Sequence, residues 1–264
     1  MSIRHSLSVG VRLWLALAGG AMLPAAGEAA GWGSLQGRFV VEGDVPELPT
    51  LDVSKEAYCT EHQPINETII VSDDGHLANV VVYLRLGRRD TIDVHPDYAA
   101  TQDEPVVLDN KGCTFVPHIT LLRTSQRLIL KNSDPVGHNT NLNLQANGRT
   151  NNLIAAGTQL ERSLSRPETT PRPVDCNIHP FMHAYILVLN HPYMAASAQD
   201  GTFEIKQIPA GKHEFQFWHE APGYLQNVKY RGGALDRRGR ADLTIADGQT
   251  LDLGDVTVPA SLLR

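Results

Sequence analysis

Apolar and polar residues alternate with a period of two in short runs along most of the chain, and Gly, Pro, Asn and Asp gather between the runs. This spacing predicts strands joined by turns rather than helices. Alternating runs occupy Ser34 to Glu42, Val106 to Asp109, Thr114 to Leu122, Arg127 to Lys131 and Thr158 to Leu164. Further along, Asp200 to Phe217 holds two such strands about a Pro-Ala-Gly turn, and Leu243 to Ile245 and Leu251 to Val258 flank Asp247-Gly248. Thr68 to Val71 and Ala78 to Leu86, split by Asp73-Asp74-Gly75, predict a hairpin. Ala184 to Leu189 is apolar throughout, as a strand inside a core would be. Periodicity fails at Pro46 to Pro64 and at Arg88 to Glu104, which read as loops, and the Asn-rich Asn139 to Arg149 suits a loop or an edge strand. The pattern predicts an all-β protein.

The first 30 residues do not share this pattern. Arg4 and Arg12 precede an apolar stretch from Leu13 to Leu23, too short to span a bilayer, and small residues follow to Ala30. Residues 1–30 are therefore expected to be a signal peptide cleaved near Ala29 or Ala30, giving a periplasmic or secreted protein with no membrane span after cleavage. The chain of 264 residues carries a net charge of −6, and loss of the leader's two arginines and one glutamate makes it more negative. No basic surface is left to draw nucleic acid.

Three cysteines leave an odd thiol in an exported chain. Cys176 starts the run Cys-Asn-Ile-His-Pro-Phe-Met, in which a thiolate, the imidazole of His179 and the thioether of Met182 fall within one short turn. Soft, redox-active copper selects that mixture, and a trigonal copper site needs one further imidazole. His138, delivered by Asn132-Ser133-Asp134-Pro135, is the candidate. With Cys176 engaged by metal, Cys59 and Cys113 remain to form a disulfide; two unpaired buried thiols are the alternative. A haem attachment run is missing, and a single Cys with scattered His supports structural zinc poorly. No nucleophile triad, phosphate loop or paired carboxylate stands in a recognisable setting, so electron transfer rather than enzymatic catalysis is expected. His118 reads as a hydrogen-bonded structural histidine.

The run from Cys176 to Met182, the apolar strand after it and the upstream His138-Asn139 resemble the copper-binding region of the blue-copper cupredoxins of the amicyanin type, over residues 105 to 192. The resemblance implies one type 1 copper ion held by His138, Cys176, His179 and Met182, with Asn139 tying the two ligand loops together. It also implies a redox partner such as a c-type cytochrome or an amine dehydrogenase. One departure is His183, a second imidazole directly after the axial Met. His138 should be the enclosed ligand; His179, with a ring edge framed by Pro180 and Phe181, should be the electron port. A second resemblance, carried by Asp200 to Phe217 with Gly223-Tyr224 and by the upstream runs Gly37 to Gly43 and Ala78 to Leu84, is to the carboxypeptidase-regulatory-like, transthyretin-like β-sandwich. Together they imply a cupredoxin-like Greek-key sandwich of residues 105–192 inserted in, or fused with, a module made of residues 31–104 and 193–264. Two rival functions follow: copper storage or delivery, supported by the extra histidines, and a carbohydrate-binding or adhesive role with a glycan contact.

Overall fold

The computed structural model describes Met1, Ser2 and residues 31–264. All but the first two residues of the expected leader lie outside the described residues. The chain is built almost wholly of strands, as the period-two pattern predicts. Among the described residues no helix is long and apolar enough to cross a membrane.

The two ends of the described chain share one sandwich. Trp32–Glu42 lies between Thr202–Pro209, antiparallel to it, and Thr250–Pro259, parallel to it. The facing sheet sets Val81–Leu84 between Met194–Ala196 and Gly211–His219, with Arg240–Ile245 beyond. Strands Thr202–Pro209 and Gly211–His219 are consecutive yet enter opposite sheets. Alternation sends Phe203 and Ile205 from one, and Phe215 and Phe217 from the other, into a common core around Phe39, Leu84 and Tyr193. Phe39 stacks on Phe203 at 5.2 Å between ring centroids.

The middle of the chain makes a second sandwich. One sheet runs Ile119–Arg123, His183–Leu189, Arg172–Asp175, His138–Asn143, Arg149–Ile154; the other runs Thr114–Val116, Val106–Lys111, Arg127–Asn132, Gln159–Ser163. Leu108, Leu122, Leu130, Leu142, Val174, Ile186 and Val188 fill the space between them. Val81–Leu84, and residues 184–189 beyond the exposed His183, are covered on both faces. Val81–Leu84 turns Val82 and Leu84 into the first core while Val81 and Tyr83 meet Ile119, Leu187, Leu189 and Trp218 in a seam between sandwiches. His183–Leu189 does the converse, with Ile186 and Val188 in its own core. Burial on both faces is the physical reason that these runs are continuously apolar.

Several expected elements differ. The hairpin of Thr68 to Val71 with Ala78 to Leu86 reduces to isolated bridges, Val71 to Leu77 and Val40 to His76, about a turn in which the Ser72 amide donates to the His76 carbonyl. Thr114 to Leu122 breaks at Pro117, which lacks a ladder donor, and its halves join different sheets. The loop Pro46 to Pro64 contains a short helix, Ala57–His62, capped by the Glu56 carboxylate on the Tyr58 amide. The loop Arg88 to Glu104 contains a 3-10 turn, Pro96–Ala99. Asn139 to Arg149, expected as a loop or an edge strand, begins inside a sheet, because His138–Asn143 bonds on both sides and Arg149–Ile154 forms the edge.

His191 and His219 are buried at 2% and 0% exposure. Burial lowers both to about 4; the Leu84 carbonyl partly offsets this at His191, and neighbouring His118 adds to it at His219. Both rings are neutral in the native state but take up protons near pH 6.5 once unfolded. Their contribution is therefore full above pH 6.5 and is lost as the pH falls towards about 4, at up to about 1.4 kcal/mol per pH unit for each ring. The urea midpoint of metal-free protein is expected to drop between pH 7 and pH 5, and His191→Gln should flatten the drop. A midpoint constant over that range would contradict this assignment.

Candidate metal centre

The turn from Cys176 to Met182 connects two paired strands, Arg172–Asp175 and His183–Leu189, whose last pair is Asp175 with His183. The pair fixes both ends of the turn. The Cys176 amide donates to the Met182 carbonyl at 3.2 Å, and the Met182 amide donates to the His179 carbonyl at 2.9 Å. The His179 amide points at Cys176 Sγ, 3.4 Å away, as suits a sulfur carrying negative charge. Cys176 and Met182 are both buried in the apolar core of this sandwich.

His138 reaches the turn through sheet register. Leu142 pairs with Val174 and Asn141 with Asp175, so the upstream residues of that strand run beside the turn. Asn139 Oδ1 accepts from the Ile178 amide at 3.0 Å and lies 3.5 Å from Cys176 Sγ, and Asn139 Nδ2 donates to Asn177 Oδ1 at 3.3 Å. Its amide group thus binds strand to turn.

The three strong donors converge. His138 Nδ1 is 4.0 Å from Cys176 Sγ, His179 Nδ1 is 3.8 Å from it, and the two Nδ1 atoms are 2.9 Å apart. A point equidistant from all three lies about 2.1 Å from each, close to the bond lengths of imidazole nitrogen and thiolate sulfur to a transition metal. The donor set therefore fits a single ion of the copper or zinc class. Burial, reinforced by the adjacent His179, holds His138 below its ordinary range; burial also lowers His179, with Glu56 and Asp134 pulling the other way. Neutral imidazoles are the form a metal requires.

Asp134, four residues before His138, is a member of the site that the sequence reading left unassigned. It is 1% exposed and accepts from four donors: His138 Nε2 at 2.9 Å, the Cys113 amide at 2.9 Å, the Gly112 amide at 2.6 Å and the Tyr58 hydroxyl at 3.0 Å. The bond from Nε2 fixes the tautomer and leaves Nδ1 with its lone pair toward the thiolate. Only the Asp-Pro turn upstream of a candidate ligand hints at this in sequence. Cys113 is bonded to Cys59, so the disulfide, the helix Ala57–His62 and the His138 ring are linked through one carboxylate. Asp134→Asn would turn an amide toward Nε2 and should cost about 10-fold to 100-fold in copper affinity. Competition with a chelator measures this, and unchanged affinity would remove Asp134 from the site.

Other expected members fall as follows. Cys176 is the free thiol and Cys59–Cys113 the disulfide. His138 is fully enclosed, at 0% exposure. His179, expected in an exposed loop, is buried at 6%, because the turn folds back on itself and Phe181 packs 5.8 Å from its ring. Pro180 is exposed and Phe181 half-buried. His183, the second imidazole after Met182, is exposed and bonds Asp175 Oδ1 at 2.8 Å. His118 lies between Ile119–Arg123 and Thr114–Val116, paired with Glu220 rather than with any donor of this centre.

No protein-family model matches the chain, and no curated protein matches it. Several solved structures resemble part of it. A copper-containing nitrite reductase from Thermus scotoductus SA-01 shares 16% identity over 40% of this chain and 25% of its own, at a TM-score of 0.29. A reduced amicyanin variant shares 13% over 40% of this chain and 97% of its own, also at 0.29. A purple cupredoxin from Nitrosopumilus maritimus shares 16% over 33% of this chain and 99% of its own, at 0.27. The chain thus spans a quarter of the nitrite reductase, and its partial neighbours include cupredoxins; at these scores the donor geometry alone carries the reading of the centre.

Proposed function

We propose that this is an exported protein with one type 1 copper ion, transferring single electrons between periplasmic redox partners such as a c-type cytochrome or a dehydrogenase. The observation that carries the proposal is the convergence of His138 Nδ1, His179 Nδ1 and Cys176 Sγ within 4.0 Å of one another. Bound there, copper would supply one-electron exchange between Cu(II) and Cu(I). Met182, buried at the end of the turn, would supply the weak thioether ligand. The chain's part is to hold these donors still. Asp134 fixes one imidazole, Asn139 anchors the turn, and the paired strands fix both ends of it, so that little need move when the charge changes by one. A thiolate beside two imidazoles, with the Met182 thioether as the residue that would complete the set, favours this over Lewis-acid catalysis, which needs an open position. The outer sandwich, with its carboxypeptidase-regulatory-like pattern, is read as the carrier of the copper unit.

His179 is assigned as the electron port. Its ring is the less enclosed of the two, and Ile178, at 50% exposure, with Pro180 and Phe181 makes an apolar rim suited to a brief encounter. Phe181→Glu should slow bimolecular oxidation by an acceptor cytochrome several-fold with little spectral change. Equal rates across a range of salt would move the port elsewhere. The proposal as a whole is tested by the visible and EPR spectra of Cu(II)-loaded protein, in which an intense thiolate band is expected; its absence would refute the type 1 assignment.

A further inference from the structure

The asparagines that follow His138 alternate along one strand. In His138–Asn143 the side chains of Asn139, Asn141 and Asn143 project from one face by the period of two, while His138, Thr140 and Leu142 point to the other and are fully buried. The backbone of that strand pairs with Arg172–Asp175 at Leu142 with Val174 and at Asn141 with Asp175. Beyond Asp175 the chain leaves the ladder and enters the turn that carries Cys176 and His179. There side-chain amides take over. Asn143 Nδ2 donates to Asp175 Oδ2 at 2.6 Å, where the turn begins. Asn141 Nδ2 donates to Asn177 Oδ1 at 3.2 Å, and Asn139 Nδ2 reaches the same oxygen at 3.3 Å.

We infer that Asn141 and Asn177 are positioning residues for the metal-binding turn, acting as one pair that extends the sheet's grip past the end of its backbone ladder. The inference rests on the copper reading above and adds two residues that give no atom to the metal. Asparagine is depleted from strands, so three at alternate positions of a strand bonded on both sides need a cause other than β preference. Donation to the turn supplies it. A side-chain carbonyl oxygen has two lone pairs, so Asn177 Oδ1 can take both amides at once. The first three residues of the turn are then each held: Cys176 through its amide on the Met182 carbonyl, Asn177 through its oxygen, and Ile178 through its amide on Asn139 Oδ1 at 3.0 Å. Fixing the residues on both sides of the Cys176 side chain fixes where its sulfur stands relative to the two imidazoles. Alanine at position 141 would remove one of the two bonds to Asn177 and leave the others in place.

Cys176 is the free thiol and is 1% exposed, so its reactivity reports how often the turn opens. The test is the rate of its alkylation by iodoacetamide in metal-free protein with the disulfide intact, followed by mass. Asn141→Ala is expected to raise the rate about fivefold, the equilibrium factor of one ordinary hydrogen bond, and Asn177→Ala, which loses both bonds, by more. In the double variant Asn141→Ala should add nothing to Asn177→Ala, because its partner is already gone. In copper-loaded protein Asn141→Ala should shift the thiolate band while the circular dichroism of the sandwiches stays as in wild type. An unchanged alkylation rate, additive effects in the double variant, or an unshifted band in folded Asn141→Ala would overturn the inference. Wild type without a thiolate band would instead sink the copper reading, and alkylation, which needs no metal, would still decide whether Asn141 and Asn177 hold the turn.

Discussion

Cys176→Ser is expected to abolish the intense visible band of the Cu(II)-loaded protein while leaving the β-sandwiches folded. The thiolate is the only donor of the set able to give charge to copper at visible energies, and its sulfur sits between both imidazoles, 3.8 and 4.0 Å from their Nδ1 atoms. Removing it also takes away the softest ligand, so copper affinity should fall beyond the about 100-fold at which losses from supporting residues end. The fold should tolerate the change. At Cys176 the serine hydroxyl would find Asn139 Oδ1, now 3.5 Å from the sulfur, and one buried hydroxyl so paired costs about 1 kcal/mol or less. Absorption, chelator competition and circular dichroism of the variant beside wild type are the measurements. A strong thiolate band that survived would exclude Cys176 as the ligand.

Replacing both Cys59 and Cys113 by Ala should lower stability by about 4 kcal/mol on the chain-entropy estimate for a bridge spanning 54 residues. For a domain of this size that corresponds to a fall of about 10 °C in Tm. The effect should not stop at stability. The Cys113 amide and the Tyr58 hydroxyl both donate to Asp134, and Asp134 holds His138, so freeing the bridge loosens one metal ligand at a distance. Copper affinity should therefore fall along with Tm. Non-reducing peptide mapping establishes the Cys59–Cys113 linkage first, and thermal unfolding with and without a dithiol gives the magnitude. An unchanged Tm after verified reduction would show that packing of Tyr58 and Val53 against the core is enough to hold this segment.

The division between what could be read early and what could not follows distance along the chain. Strand class was legible because a side-chain period of two is a local property, visible wherever one face is buried. The donors of the turn were legible for the same reason: Cys176, His179 and Met182 are close in sequence and need no remote pairing to be neighbours. The odd cysteine count pointed to one disulfide and one free thiol without naming any contact. Hairpins were less secure. Asp73-Asp74-Gly75 does turn the chain, yet its flanks meet each other only at a bridge of Val71 with Leu77 and a few backbone bonds, and His76 and Leu77 also bond to Trp32–Glu42.

Sequence by itself determined the all-β class and a thiolate, imidazole and thioether within one turn. Tertiary structure alone decided that His138 stands beside that turn, since its approach depends on the register of Asn141 with Asp175. It also decided that Asp134 serves as the hub of four donors, that His179 is folded inward, and that His118 meets Glu67 and Glu220. Composition cannot specify these contacts, because each joins residues brought together only when sheet faces pack. The continuous runs Val81–Leu84 and Ala184 to Leu189 show the same limit: their apolar character announces burial, but only the packed seam shows that each strand is buried twice, once by each sandwich.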